Sequence, residues 1–210
     1  MPAESSSRMV ETVYVVDDDS SMRTALDRMF RTTNFAVKTF DSPEAFLAHE
    51  SDPVPCCAVL DLRMPGLDGI ALQARLREAG RMLPVVFITG HGDVPTSVRA
   101  MKSGAIDFIE KPFETEELID AVRRALSASQ SMSYDREQRA ILEQKLKSLT
   151  PREREVFVLV TQGLLNKVIA GRLGTAEKTI KVHRGRVMEK MAARSLADLV
   201  RIAERLDLVK

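Results

Sequence analysis

The stretch VYVVDDDSS, residues 13–21, puts three adjacent carboxylates directly after an apolar run. Adjacent like charges repel, and a buried carboxylate is costly unless a cation or hydrogen bonds compensate it. A solvated turn would keep that cost small, whereas a cation site would use the charges of Asp17, Asp18 and Asp19. Taken alone, the stretch leaves both alternatives open.

Length and composition indicate an ordinary globular protein with room for two domains, since 44% of the 210 residues are hydrophobic and 29% are charged. No run approaches the roughly 18 apolar residues of a membrane span, and the first residues lack the apolar segment of a signal peptide. We therefore expect a cytoplasmic protein with no membrane partner. Cys56 and Cys57 are adjacent, which favours small strand residues over a disulfide or a zinc site.

The net charge of +1 hides an uneven distribution along the chain. Lys plus Arg against Asp plus Glu number 14 and 20 in residues 1–126, 4 and 3 in residues 127–149, and 13 and 7 in residues 150–210. The three parts therefore carry −6, +1 and +6. Such asymmetry suggests an acidic module joined to one that faces nucleic acid.

Five short apolar runs alternate with segments of helical periodicity in the first part of the chain: TVYVV, FAVKTF, CAVLDL, PVVFIT and AIDFIE. Strands that alternate with helices predict repeated βαβ units and a parallel sheet. We predict an α/β, doubly wound, parallel five-stranded domain over residues 10–126. A Ser- and Gln-rich, then charged, stretch over residues 127–149 is predicted to be a partly helical linker.

Four helical segments follow, and the capping and stop residues between them predict a small all-α helix-turn-helix domain over residues 150–210. Polar residues that favour N-caps precede the segments, and glycines follow the first two. The predicted caps are Thr150 with Glu153 in a capping box, Asn166, Thr175 and Ser195, and the predicted stops are Gly163 and Gly174.

Polar side chains stand at the carboxyl ends of the predicted strands, where open parallel sheets bind ligands. Asp17 and Asp18 follow the first strand, Asp61 ends the third, Thr89 ends the fourth and Lys111 follows the fifth. Carboxylates are the ligands that Mg²⁺ prefers, and an Asp carboxylate can attack phosphorus to form an acyl phosphate. This convergence favours a cation site over a solvated turn, with Asp19 starting the first helix.

The segments VVDDD, LDLRMPGLDG, VVFITGHGD and AIDFIEKPF resemble, in order and spacing, the CheY-like receiver domain of two-component response regulators. The resemblance implies that Asp61 is the phosphoacceptor. It also implies that Asp17, Asp18 and Asp61, with the main-chain carbonyl of Arg63, bind magnesium.

The same resemblance implies a switch made of Thr89 and Phe108, and a phosphate-pairing role for Lys111, joined to Pro112 by a cis peptide bond. Gly90 stands where many receivers have Ala, which leaves the lifetime of the phosphate open. His91 has no second residue to orient it, and we interpret it as an ordinary loop histidine.

The segment LTPREREVFVLVTQGLLNKVIAGRLGTAEKTIKVHRGRVMEKM resembles the LuxR-type helix-turn-helix, and the two parts together resemble the NarL/FixJ class, closest to its FixJ-like branch. Leu165 and Val168 depart from the family, where Ser or Thr and Glu are common. Nearly the whole chain is covered by these two resemblances.

The third helix of this domain can be interpreted from its own periodicity of about 100° per residue. Ile180, Val187 and Met191 fall on one side, which predicts the core face. The opposite side is predicted to face the major groove, with Val182 meeting a thymine methyl and other side chains binding phosphates. The predicted DNA contacts are Lys178, Lys181, Val182 and Gly185 on this face, with Arg184, Arg186, Lys190 and Lys167 for phosphates.

The sequence therefore predicts a response regulator rather than an enzyme. The expected partners are a sensor histidine kinase, double-stranded promoter DNA, RNA polymerase and, on phosphorylation, a second copy through roughly residues 95–111. Two rivals remain open: a magnesium-dependent phosphohydrolase, and a DNA-binding protein whose first domain only dimerises.

Overall fold

The computed structural model describes residues 11–50, 52, 55–90 and 94–208. The chain forms two compact units, with the division between Ser133 and Tyr134. Within the described ranges, no helix combines the length and the apolar character that crossing a bilayer requires.

The first unit is built on a parallel five-stranded sheet in the order β2-β1-β3-β4-β5. Apolar runs form its strands, because strands covered on both faces need no polar alternation. The predicted doubly wound α/β architecture is confirmed. The strands are β1 Thr12–Val16, β2 Ala36–Phe40, β3 Cys56–Asp61, β4 Val85–Thr89 and β5 Asp107–Glu110.

Helices cover both faces of this sheet and make two separate cores. α1 and the first part of α5 pack on one face through Leu26, Phe30 and Leu118. Residues of α2, α3 and α4 pack on the other face through Phe46 and Leu72, among others. The helices are α1 Ser20–Thr32, α2 Pro43–Ala48, α3 Gly69–Glu78, α4 Val94–Lys102 and α5 Thr115–Lys147.

The strand register brings the carboxyl ends of the central strands to one edge. Val16 of β1 pairs with Leu60 of β3, and Asp61 pairs with Ile88 of β4. The order reverses between β1 and β3, and such a switch point is where a crevice opens in a doubly wound sheet. The residues that follow β1 and end β3 therefore lie on either side of that crevice.

The predicted linker differs from the structure. α5 continues without a break from Thr115 to Lys147, so the predicted boundary at residue 126 lies inside a helix. Ser129 is buried in the first unit and accepts a hydrogen bond from the Cys56 amide (3.1 Å). Leu146 and Leu149 are buried in the core of the second unit. Residues 127–149 are thus helical almost throughout and divided between the two units.

The second unit contains α6 Pro151–Thr161, α7 Asn166–Arg172, α8 Glu177–Lys190 and α9 Leu196–Arg205. The predicted capping box of Thr150 and Glu153 is confirmed, as is the cap at Ser195. The predicted caps at Asn166 and Thr175 are wrong. α7 begins at Asn166 itself, one residue earlier than a cap at Asn166 requires, and α8 begins at Glu177, one residue later than a cap at Thr175 requires. Leu165 and Ala176 stand at the two N-caps without a side-chain hydrogen bond.

Candidate functional site

Three carboxylates meet at the crevice between β1 and β3. One ligand oxygen from each of Asp17, Asp18 and Asp61 lies within 4.8 Å of the other two. Asp17 is 1% exposed and Asp61 7% exposed, whereas Asp18 is open to solvent. The cluster therefore has two buried members and one that faces the water.

Both carboxylate oxygens and the main-chain carbonyl of Asp17 accept hydrogen bonds. Its Oδ1 accepts from the Asp19 amide (2.8 Å), its Oδ2 from the Lys111 ammonium (2.8 Å), and its carbonyl from the Arg23 guanidinium (2.8 Å). Asp19 in turn caps α1 by accepting from the Ser21 amide (2.8 Å), as its place before the helix predicts. Arg23 was not among the predicted site residues, since its contact is made through a backbone oxygen.

Lys111 bridges the two buried acids, because its Nζ also lies 3.1 Å from Oδ1 of Asp61. Burial raises the pKa of Asp61, and the Lys111 charge opposes that rise only in part. Burial favours the neutral amine of Lys111, but hydrogen bonds and charges from Asp17 and Asp61 outweigh it and raise the pKa of Lys111. One ammonium thus compensates two carboxylates incompletely, which leaves the cluster with excess negative charge.

Gly69 allows the first turn of α3 to press against the end of β3. Its amide donates to the Leu62 carbonyl (3.0 Å), and a Cβ there would lie 2.5 Å from the Asp61 carbonyl oxygen. No side chain fits that gap without a shift of backbone. Asp68, the N-cap of α3, marks the helix start in the sequence, but the need for glycine comes from this contact with β3.

The remaining predicted residues of this site lie on β4, on β5 and just after β3. Thr89 is fully buried at the end of β4, paired with Glu110 of β5. Phe108 is half-buried on β5 against the core that α3 and α4 cover. Arg63 is exposed two residues beyond Asp61. The predicted cis bond between Lys111 and Pro112 is confirmed.

Gly90 and His91 follow β4 in the sequence and were noted there for their place near the site. Gly90 is exposed, and a Cβ built there meets nothing within 4 Å. A larger residue would therefore fit, so the glycine is not required by the fold. His91 lies outside the described residues.

The donor set of the cluster suits a hard divalent cation. Oxygen ligands, two buried and one exposed, leave room for water on the solvent side, which is the coordination that Mg²⁺ favours. The excess negative charge would be relieved by such a cation. The Asp61 carboxylate, beside an ammonium and a cation, is in an environment that can stabilise a phosphoryl group.

α8 of the second unit has the predicted two faces. Ile180, Val187 and Met191 are buried, which confirms the predicted core face. Val182 is 48% exposed on the other side. Lys178, Lys181, Gly185 and Arg186 are likewise exposed. Glu189 is exposed on the same side, so this face combines cationic side chains with one carboxylate, one apolar side chain and one glycine.

The other predicted phosphate-binding residues fall into different environments. Lys167 is exposed on α7. Arg184 is partly buried and donates to Oδ1 of Asn166 (3.2 Å), which ties α8 to the first turn of α7. Only Nη1 of the Arg184 guanidinium makes this hydrogen bond to Asn166.

The assignment of Lys190 as a phosphate contact does not agree with its position. Its ammonium lies 2.6 Å from Oε2 of Glu153, which is 2% exposed, and 3.1 Å from the Ser148 carbonyl. Breaking this contact would leave the Glu153 carboxylate without its cation. Lys190 therefore belongs to the internal ion pair, and helical phasing alone missed this because the partner lies 37 residues away.

Two family models match the chain. The first, the response regulator receiver domain, matches residues 13–123, and the second, the LuxR family of bacterial regulatory proteins, matches residues 147–203. The acidic cluster lies within the first range, and α6 to α8 lie within the second.

Curated proteins and solved structures resemble the chain over most of its length. Nodulation protein W of Bradyrhizobium diazoefficiens is 46% identical over 194 residues, 92% of this chain and 86% of that protein. The transcriptional regulatory protein FixJ of Rhizobium meliloti is 44% identical over 192 residues, 91% and 94% of the two chains. The structure of the response regulator StyR is 48% identical, covers 93% of this chain and 99% of its own, and superposes with a TM-score of 0.78.

Proposed function

Because the chain belongs to the two-component response regulators that join a receiver domain to a LuxR-type DNA-binding domain, we propose that phosphorylation of Asp61 controls its dimerisation and its binding to promoter DNA. The observation that carries this proposal is the Asp17–Asp18–Asp61 cluster, in which Lys111 bridges Asp17 and Asp61. The boundaries of the two functional domains are proposed to follow the two compact units, with α5 shared between them.

Asp61 is the proposed phosphoacceptor because it is buried at the end of β3 and touches the Lys111 ammonium. Its carboxylate oxygen attacks the phosphorus of a phosphohistidine on the partner kinase. A phosphorus–oxygen bond forms, the phosphorus–nitrogen bond breaks, and the leaving imidazole takes up a proton. Lys111 faces the developing negative charge on the phosphoryl oxygens and stabilises it.

Asp17, Asp18 and Asp61 are the proposed Mg²⁺ ligands, together with the main-chain carbonyl of Arg63. The bound cation supplies charge neutralisation for the acids and for the incoming phosphoryl group. Lys111 and the Asp19 amide keep the Asp17 carboxylate oriented for this role.

An apolar groove next to the cluster offers the sensor kinase a place to dock. The groove, of about 310 Å³, runs between α1 and the turn that leads from β5 into α5. A donor that seats apolar side chains there would exclude water from the site while it delivers the phosphoryl group. The groove is lined by Met22, Ala25, Leu26, Met29, Lys111, Pro112, Phe113 and Thr115.

Thr89 and Phe108 form the proposed switch. Thr89 is buried at the strand end beside the cluster, and a new phosphoryl group would attract its hydroxyl as a hydrogen-bond donor. Movement of Thr89 towards the phosphate would free space for the half-buried ring of Phe108 on the neighbouring strand. The adjoining face includes Val98 and Met101 of α4, 44% and 48% exposed, and it is the proposed dimer surface.

The helix-turn-helix is proposed to bind promoter DNA through α8 in the major groove, in a complex that also engages RNA polymerase. Val182 would meet a thymine methyl, and Lys178, Lys181 and Gly185 lie on the same exposed side. Arg184, Arg186 and Lys167 are proposed to bind phosphates. Lys190 is not included, since it is paired with Glu153.

The experiment is to treat the chain with acetyl phosphate and Mg²⁺ and to measure the incorporated phosphate by intact mass. We expect one phosphoryl group per chain, and none in Asp61→Asn or in the presence of excess chelator. Asp68→Asn is the matched control, because Asp68 is an exposed acid that caps α3 outside the cluster and Asn preserves the cap. Equal labelling of Asp61→Asn would refute the assignment.

The same samples distinguish the rival functions. Continued release of phosphate over many turnovers would indicate a phosphohydrolase rather than a regulator. Promoter binding by Asp61→Asn equal to that of the phosphorylated chain would indicate a DNA-binding protein that does not depend on phosphate.

A further inference from the structure

The outer face of α7 is unusually apolar for a surface helix. Leu165, at its N-cap, is 72% exposed, and Val168, one turn on, is 45% exposed. Gly171, one further turn along, is exposed, and a Cβ built there meets nothing within 4 Å. We name these three residues, Leu165, Val168 and Gly171, the α7 strip.

The fold of the second unit does not need this strip. α7 is anchored on its other side, where Ile169 and Ala170 are buried in the core. Leu165 supplies no capping hydrogen bond, and a polar residue there would cap the helix better. Neither packing nor helix stability therefore accounts for the two exposed aliphatic side chains.

Exposed cationic side chains stand on α7 and at the start of α8, where Glu177 is an exposed carboxylate. Lys167 and Arg172 are exposed on α7 itself, and Lys178 is exposed at the start of α8. The bond between Arg184 and Asn166 joins α7 to α8 on the side of α7 that also buries Ile169 and Ala170, so the strip faces away from that contact and stays open. An apolar strip within a cationic surface suits a partner that is polyanionic but also carries apolar groups.

Duplex DNA is such a partner, since its deoxyribose carbons lie between the phosphates. In helix-turn-helix complexes the first helix of the motif crosses the sugar-phosphate backbone while the second enters the groove. We propose that the α7 strip packs on the deoxyribose carbons of the DNA backbone, and that Gly171 lets the backbone approach α7 closely. This inference rests on the proposed DNA-binding function.

An apolar contact to sugar has its own signature. It releases no counterions, so its removal leaves the slope of log affinity against log salt unchanged. Deoxyribose is the same at every base pair, so loss of an apolar contact to it weakens binding to all sequences alike. A phosphate contact changes the slope, and a base contact changes only specific binding.

The test uses the full chain treated with acetyl phosphate and two duplexes: one selected by the wild-type chain from a random pool, and its scrambled counterpart. Binding isotherms are measured at several salt concentrations. Leu165→Ala and Val168→Thr, which retains the shape of valine, probe the strip. Lys167→Ala provides the phosphate standard, and Ile141→Ala, which trims an exposed side chain on α5 (40% exposed), is the matched control.

We expect Leu165→Ala to weaken binding to both duplexes by about fivefold, the loss expected when part of a leucine side chain is uncovered. Val168→Thr should act in the same direction, with unchanged salt slopes for both. Lys167→Ala should lower the slope by about one unit, and Ile141→Ala should match the wild type. Melting temperatures should not fall, because the strip is exposed.

Three results would overturn the proposal: affinities equal to wild type, a loss confined to the selected duplex, or a changed salt slope in the strip variants. A wild-type chain that binds the two duplexes equally would instead refute the proposed sequence-specific function. In that case the scrambled duplex alone tests the strip proposal. A loss of affinity in the strip variants with an unchanged salt slope would support the proposal, and affinity equal to wild type would refute it.

Discussion

Gly69 shows how a single residue can set the geometry of the proposed phosphorylation site. A side chain at this position would reach the Asp61 carbonyl oxygen at 2.5 Å and the Phe87 ring at 3.1 Å. Both neighbours belong to the buried centre of the sheet and have little room to move. α3 and β3 therefore meet closely only because residue 69 has no Cβ.

Gly69→Ala is expected to destabilise the first unit by roughly 1–3 kcal/mol, the usual cost of forcing a group into a packed site. It should also slow phosphate incorporation at Asp61, because the end of β3 must shift. Urea unfolding and labelling with acetyl phosphate measure the two effects. Gly90→Ala is the matched control, since its Cβ meets nothing within 4 Å, and it should leave stability nearly unchanged.

Gly185 presents the opposite case, a glycine on an open helix surface. Its Cβ would also meet nothing within 4 Å, and α8 would gain helix propensity from Ala. Gly185→Ala should stabilise the second unit by up to about 1 kcal/mol and weaken specific DNA binding, because the methyl group occupies the surface that DNA approaches. Unfolding curves measure the change in stability, and binding isotherms on the selected duplex measure the change in affinity. Unchanged affinity would show that DNA does not approach Gly185 closely.

At the scale of elements, one ion pair links the start of α6 to the end of α8. Glu153 accepts from the Thr150 amide (2.9 Å) in the capping box and from Lys190 (2.6 Å). The Lys190 hydrogen bond, followed by that of the Thr150 amide, lowers the pKa of Glu153 to about 2. The pair therefore holds two helices together through one carboxylate.

This pair makes the stability of the second unit depend on pH in a defined direction. The pKa of Glu153 is lower in the folded chain than the ordinary value of 4.5, so the stabilisation is complete above that value and is lost as pH falls towards 2. Glu153→Gln should therefore lose more stability at neutral pH than at acid pH. Hydrogen exchange of α6 and α8 peptides in urea, measured across this range, reports the difference.

Glu155→Gln is the control for that measurement. Glu155 lies on the same helix, and its side chain is 52% exposed beside Arg152. An exposed pair contributes little to stability, so this variant should follow the wild-type pH curve. A pH-independent difference between wild type and Glu153→Gln would contradict the role given to the ion pair.

At the scale of the whole molecule, the proposed function requires that phosphorylation of Asp61 promotes self-association. Thr89, which is buried at the end of β4, is the residue proposed to link the two events. Thr89→Ala should still take up one phosphate on Asp61, because the carboxylates and Lys111 remain. It should not shift from monomer to dimer, because the hydroxyl that responds to the phosphate is gone. Sedimentation with and without acetyl phosphate, with labelling followed by mass, tests both halves.

Thr39→Ala serves as the matched control, since Thr39 is exposed on the edge strand β2. It should label and dimerise like the wild type. A phosphorylated Thr89→Ala chain that dimerises as well as the wild type would exclude Thr89 from the coupling.

Local sequence patterns determined the strands, the order of the elements and the residues of the acidic cluster. Alternating apolar runs and helical segments specify a parallel sheet, and parallel strands bring their carboxyl ends to one edge. Asp17, Asp61 and Lys111 could therefore be assigned to one site from positions far apart in the chain. The buried and exposed sides of α8 followed from helical period in the same way, because both depend only on short-range geometry.

Contacts between distant residues required the tertiary structure. The partner of Lys190 is on another helix, the gap that Gly69 fills is set by β3, and α5 runs through the predicted linker because both of its ends are buried in cores. The starts of α7 and α8 also required the tertiary structure. Their N-caps are Leu165 and Ala176, and not Asn166 and Thr175, which are the better capping residues of the local sequence. In each case the deciding free energy comes from burial or charge pairing between residues far apart in sequence, which outweighs the small preferences of a local segment.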